Sequence, residues 1–281
     1  MPIALAFACA VVYGIADYCG GRSTRTAPSL AVGMFGQIAS LLVGVVAVLL
    51  LGTTVPAWHE LAWGGIAGLA SAVALTSFYH ALSHGSMTVV APITAVTSAV
   101  LPVAFGLVRG ERPAPVAYVG MVLAVAAVAL VSGAVGARHT VTRPSTIAFA
   151  LVGGFGFAVI FIALGETASS SGIWPLVSSR VVSVVVISTV VLATHTAVRG
   201  HGRIWRLAAL AGVLDMSANF LYLEAVRRGL LSIVVVVVAL YPVSTVCLAF
   251  GLDRERVSRS QAVGMAMAVG ALVLVSIAGS T

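Results

Sequence analysis

Lysine is missing from all 281 residues, and charged residues of every kind make up only 8%. Without lysine the chain cannot form a P-loop ATP site, a Schiff base or a Ser-Lys nucleophile pair. ATP-driven work by this chain alone is thereby set aside. A water-exposed domain carries about 25% charged residues, so this composition cannot cover a soluble surface. Cysteine is equally sparse: Cys9, Cys19 and Cys247 are scattered, follow no metal or disulfide spacing, and read as small buried hydrophobes. No cofactor is implied. The net charge of +7 comes entirely from arginine. The arginines sit mostly in short loops, where anionic lipid headgroups are a sufficient partner, and no basic domain exists to receive a nucleic acid. The first apolar stretch has no basic segment ahead of it and is followed closely by another, so it reads as a span, not as a cleaved signal.

What is present is overwhelmingly apolar, at 60% hydrophobic residues and a mean hydropathy of +1.12. Breaks at charge, proline and glycine divide the chain into ten segments, near 3–20, 30–51, 61–82, 87–107, 115–135, 146–164, 173–194, 205–226, 230–250 and 260–278. Each suits a helix across a hydrocarbon core of about 30 Å. The segments are apolar all round, whereas transmembrane strands alternate. The expected fold is all-α: a polytopic, multi-pass membrane protein of ten transmembrane helices, with the lipid bilayer as its first partner. A bacterial inner membrane or plasma membrane is the expected location. Trp58, Trp63, Trp174 and Trp205 lie near segment ends, as an interfacial aromatic belt requires.

The polar residues inside these segments are the functional candidates, because a charge at bilayer depth is costly unless it faces protein or water. Asp215, Asn219 and Tyr222 share one face of the eighth segment at i, i+4 and i+7. A wet cavity accounts for three polar groups together. Arg180, about two turns into the seventh segment, either pairs with Asp215 or snorkels to the headgroups. Tyr13 and Asp17 share a face of the first segment, where Asp17 lines a pathway or pairs with Arg22 or Arg25 at the interface. Gln37 falls on a stripe with Gly33, Ser40 and Gly44, suited to close packing or to a cavity wall. Tyr79 and His80 belong to a polar stripe in the third segment, where His80 either carries a proton or is a neutral, hydrogen-bonded histidine near the helix end. Pro92 and Pro102 bend the fourth segment. Glu111, Glu224, Arg227 and Arg228 read as interfacial. No nucleophile with an oriented base and no metal cluster is spaced for catalysis, so an enzyme is not expected.

The two halves repeat. An offset of 144 residues places Gly68 on Gly212, Ala81 on Ala225, Gly85 on Gly229, Glu111-Arg112 on Glu255-Arg256, Gly120-Met121 on Gly264-Met265, and Leu130-Val131-Ser132 on Leu274-Val275-Ser276. The expected units are residues 1–136 and 145–281, joined by a polar connection at 137–144. Five spans is an odd number, so the second half enters the membrane inverted. Two inverted five-helix repeats with a solute site between them are a transporter architecture.

The chain resembles the drug/metabolite transporter superfamily, in its ten-helix form built of two EamA-type repeats. The resemblance covers nearly the whole chain. It rests on the turn Gly110-Glu111-Arg112 and its partner Arg254-Glu255-Arg256, on Leu240-Tyr241-Pro242-Val243, on Arg180, and on Gly14 with Asp17-Tyr18-Cys19-Gly20-Gly21. The second turn departs from the pattern, with Arg254 where glycine is expected. The resemblance implies a secondary transporter of a small metabolite or drug-like solute, working by alternating access and more often in export, with protons as a candidate coupling partner and a homodimer as a compatible assembly. A scaffold or sensor subunit is the alternative, but it needs no polar stripe in its interior helices. Arginine bias assigns the odd-numbered connections to the cytoplasm, whereas the resemblance implies that both termini lie there.

Overall fold

The computed structural model describes residues 1–84, 87–131, 143–198, 202–253 and 258–278. Among them no strand occurs. The helices are α1 (Pro2–Thr24), α2 (Ser29–Leu51), α3 (Trp58–His84), α4 (Met87–Val108), α5 (Pro115–Val131), α6 (Pro144–Gly165), α7 (Trp174–Ala193), α8 (Gly202–Val226), α9 (Leu231–Val238), α10 (Tyr241–Asp253) and α11 (Arg259–Ala278), with a 3-10 turn at Ser169–Ser171. Eight stretches are long and apolar enough to cross a membrane, and two shorter apolar helices, Ile93–Val108 and Pro115–Val131, bring the spans to ten. Prolines open several helices: Pro2, Pro144 and Pro175 occupy first-turn positions, where their missing N–H costs nothing and their fixed φ suits the helix.

One expected span is broken. Residues 230–250 read as a single apolar segment, but the helix stops at Val238 and restarts at Tyr241. Pro242 is the cause, because inside a continuous helix its ring would collide with the Val238 carbonyl. At the second position of α10 it fits without strain. The connection expected at 137–144 and the turn at Glu255-Arg256 lie outside the described residues, apart from Arg143 and Pro144.

Helix packing displays the inverted repeat. α1 packs along α8 as α6 packs along α3, and α5 packs along α11 about the pseudo-two-fold axis. α1 and α8 run antiparallel: Pro2 lies by Gly229, Cys9 donates to the Ala218 carbonyl, and Ser23 reaches the Ile204 carbonyl. α3 and α6 are antiparallel too, since Gly153 rests on Phe78 and Gly156 on Ala70 and Ala74. α1 and α3 start on the same side of the bilayer, with one span between them. α6, the counterpart of α1, therefore crosses in the opposite sense.

The glycines give the symmetry atom by atom. A Cβ on Gly120 would meet Ala271, Leu274 and Val275, whereas one on Gly264 would meet Ala127, Leu130 and Val131, which are the same positions in the other half. Likewise Gly68 abuts the Ser179 carbonyl and Gly212 the Gly36 carbonyl. Gly36 thus corresponds to Ser179, one residue out of register with the later helices. Lipid tails are as apolar as leucine, so burial of apolar surface does not hold these helices together. Close backbone approach at small residues does.

Candidate functional site

A cavity opens between the halves, with walls from α1, α2, α3, α4, α6, α8 and α10. Its polar and aromatic lining is Tyr13, Asp17, Gln37, Tyr79, Ser98, Phe157, Phe161, Asp215 and Tyr241. Small residues make the room: Gly33 and Gly36 on α2, and Ala208, Ala211 and Gly212 on α8. The α2 and α3 residues and most of those from α1 and α8 come from the halves of their helices nearer the odd-numbered connections, with Tyr13 and Asp215 at mid-helix and Phe157 and Phe161 in the other half of α6. The cavity is therefore displaced toward that face.

Its inner wall is a buried polar quartet. Arg180 is 3% exposed and places its NH2 nitrogen 2.9 Å from Asp215 Oδ2. Its NH1 nitrogen donates to Gln37 Oε1 at 3.1 Å and to Ser71 Oγ at 3.3 Å. Ser183 also donates to Gln37 Oε1, at 2.8 Å, and Gln37 Nε2 donates to Ser71 at 3.4 Å. Asn219 Nδ2 reaches Asp215 Oδ1 at 3.2 Å and the Asp215 carbonyl at 2.8 Å. In the register given by the glycines, Gln37 is the counterpart of Arg180, and Ser71 that of Asp215. A neutral pair in one repeat therefore lies against an ion pair in the other, across the pseudo-axis. Burying an ion pair is tolerated when further hydrogen bonds satisfy it, and the neutral pair supplies them.

The candidates separate clearly. Tyr13, Asp17, Gln37, Tyr79 and Asp215 line the cavity, and Arg180 and Asn219 stand behind it as the partners of Asp215. Snorkelling by Arg180 is not observed. Asp17 makes no ion pair among the described residues; Arg22 instead donates to the Tyr18 hydroxyl at 2.7 Å. Three expectations need correction. Tyr222 is fully buried and donates to the Phe161 carbonyl at 2.6 Å, so it ties α8 to α6 and does not face the cavity. Three residues on one helical stripe span about 10 Å along the axis at 1.5 Å per residue, long enough to pass beyond the cavity. His80 points away too, stacked on His84 and tilted against Phe149, each at 4.3 Å, near the end of α3. Cys247, expected to be buried, is exposed, although Cys9 and Cys19 are buried.

Sequence reasoning missed Phe157, Phe161, Ser98 and Tyr241. Tyr241 carried a signal: a tyrosine beside a proline that interrupts a spanning helix marks irregular backbone, which membranes tolerate at cavities. The phenylalanines carried none.

The opposite end of the bundle is fastened by polar contacts. Glu111, expected to be interfacial, reaches back to accept from the Leu231 and Ser232 amides at 2.7 and 3.0 Å, capping α9. Gly110 makes this reach possible with φ +95°, a conformation costly for other residues. Glu60 accepts from the Ala168 amide at 2.9 Å, Arg227 donates to the Ala168 carbonyl at 3.0 Å and to Ser171 at 2.9 Å, and Arg109 pairs with Glu166. Glu111→Gln keeps one acceptor oxygen of two and loses the charge favoured at a helix N-terminus. It is expected to cost about 1 kcal/mol, read as a lower melting temperature in detergent; an unchanged melting curve would refute the capping role.

Among the described residues, no group of three His, Cys, Asp or Glu side chains could hold a metal ion. A solved crystal structure covering 98% of both chains is similar to this one, with a TM-score of 0.79 at 17% identity, which establishes a shared fold. No curated protein sequence matches the chain. The family model for the EamA-like transporter family matches residues 1–133 and again 144–277. With both halves matched and the inverted ten-span bundle in place, the chain belongs to the EamA-like transporter family.

Proposed function

We propose that this chain is a secondary transporter that moves a small organic solute through the central cavity by alternating access, in the direction of export, with Asp215 as the coupling residue. The observation that carries the reading is the asymmetric quartet at the pseudo-two-fold axis. Asp215 presents a 29%-exposed side chain to the cavity, while Arg180 behind it is closed off. An acid placed where the halves meet, in contact with both an open cavity and a cross-repeat network, can transmit its ionisation state to the packing of the halves. A scaffold would gain nothing from such a cavity, and catalysis would need a nucleophile held by an oriented base, whereas Ser98 in the lining donates to the Ala95 carbonyl.

Under this reading residues 1–136 and 145–281 rock against each other about the axis. The cavity end opens toward the odd-numbered connections, and the contacts of Glu60, Glu111, Arg109 and Arg227 close the other end. Those contacts must break for the cavity to open the other way. Each involves one or two hydrogen bonds worth about 1–3 kcal/mol when charge-assisted, a range that a solute or a proton can overcome.

The test is flux in proteoliposomes for a panel of amino acids, amines and drug-like solutes, with and without a pH gradient. Asp215→Asn is expected to reduce gradient-driven accumulation to the level of empty liposomes while the protein still purifies as a folded species. Unaltered pH-driven flux in that variant would take Asp215 out of the mechanism.

A further inference from the structure

The cavity has a charge imbalance that the quartet does not resolve. Asp17 on α1 and Asp215 on α8 both line it, yet only Asp215 has a cationic partner among the described residues. Every other wall element presents neutral groups: Gln37 from α2, Tyr79 from α3, Ser98 from α4, Phe157 and Phe161 from α6, and Tyr241 from α10. Asp17 lies within electrostatic reach of Asp215, Tyr79 and Tyr241, and among the described residues no arginine or histidine stands opposite it. With both carboxylates ionised, the site and its wall sum to one negative charge.

We propose that the cavity accepts organic monocations: an ammonium, quaternary ammonium or guanidinium head carried on an apolar or aromatic body, with the head against Asp17. The proposal rests on the reading of this cavity as the solute site, and it names the class of solute. A single positive charge brings the site to neutrality, which a low-dielectric interior demands of any buried charge. The rings of Tyr13, Tyr79, Tyr241, Phe157 and Phe161 supply the rest of the surface, and their faces attract a desolvated cation. An anion would meet two carboxylates and no cation in the cavity lining. A zwitterion would bring its own carboxylate into the same field, and among the described residues the guanidinium nearest the site, that of Arg180, is already held by Asp215, Gln37 and Ser71. A neutral solute would gain nothing from Asp17, which would take up a proton to stay buried beside it.

The experiment uses charge-matched thiol reagents. In the full-length chain with Cys9, Cys19 and Cys247 replaced by alanine, Leu75→Cys places a thiol in the cavity wall. A trimethylammonium-bearing methanethiosulfonate is expected to label it about tenfold faster than a sulfonate-bearing one, after correction for their rates with a free thiol. Adding Asp17→Asn is expected to bring the two rates within about twofold of each other. Benzyltrimethylammonium should slow the labelling, whereas neopentylbenzene, its uncharged carbon analogue, should not. Equal rates before the Asp17 change, or a preference that survives it, would overturn the monocation proposal and leave the transport reading intact. Failure of both reagents to label would mean that water-borne solutes do not enter the cavity, and would sink both. Titration calorimetry of the native chain with benzyltrimethylammonium decides the same question should the cysteine-free protein not fold: heat lost in Asp17→Asn supports the proposal, and binding unchanged by that substitution overturns it.

Discussion

Arg180→Gln is expected to destabilise the protein by about 3 kcal/mol, and adding Asp215→Ser to that variant is expected to restore most of the loss. The single change leaves Asp215 at the quartet with no cation beside it. It also removes the donor that serves both Gln37 Oε1 and Ser71 Oγ. Breaking one side of a buried ion pair costs about 3–5 kcal/mol; the lower figure applies because Asp215 keeps an edge on the cavity. The double variant gives the second repeat the pair that the first already carries, Gln37 with Ser71. Two neutral pairs across a pseudo-two-fold axis satisfy each other without charge, so its stability should return to within about 1 kcal/mol of the native protein. Its gradient-driven flux should not return. A double variant that melts with the single one would show that the two repeats are not interchangeable at the axis, and would remove the structural basis for assigning Asp215 to coupling and not to folding.

The sequence made the scaffold legible through its glycines and its turns. Gly68 and Gly212, or Gly120 and Gly264, stand at matching positions because each is where a backbone from the other half comes too close for a side chain. That constraint survives in sequence as residue identity. The quartet was half legible: the spacing of Asp215 and Asn219 put them on one helical face, and pairing with Asp215 was one of the two readings open to Arg180. The cavity lining was legible only where it was polar. In a soluble protein, hydrophobicity separates inside from outside, but here lipid and core are equally apolar. Phe157 and Phe161 could not be told from Phe155, which is 59% exposed. Helical spacing put Tyr222 on the stripe of Asp215 but could not say how far along that stripe the cavity runs. The two readings of His80 could not be separated for the related reason that a polar stripe at a helix end serves the interface as well as the interior.

Gly212→Ala is the substitution where a single methyl group should do the most damage. A Cβ there would clash with the Gly36 carbonyl oxygen, with the carbonyl carbon at 2.6 Å. Both are backbone atoms, so no side chain can swing aside, and α2 and α8 must separate. The expected cost is about 1–3 kcal/mol, seen as a depressed melting temperature in detergent. Gly21→Ala is the control: nothing lies within 4 Å of its added Cβ, and alanine in a helix is favoured over glycine by up to about 1 kcal/mol, so this variant should melt at or above the native temperature. The seam between α2 and α8 also forms a wall of the cavity, since Gly36 and Gly212 both line it. Forcing it apart should therefore change solute handling as well as stability. Flux measured well below the melting transition should still fall in Gly212→Ala and stay native in Gly21→Ala. If Gly212→Ala matched its control in both measurements, the close approach of the two halves at this seam would not exist, and the axis about which they are proposed to rock would have to lie elsewhere.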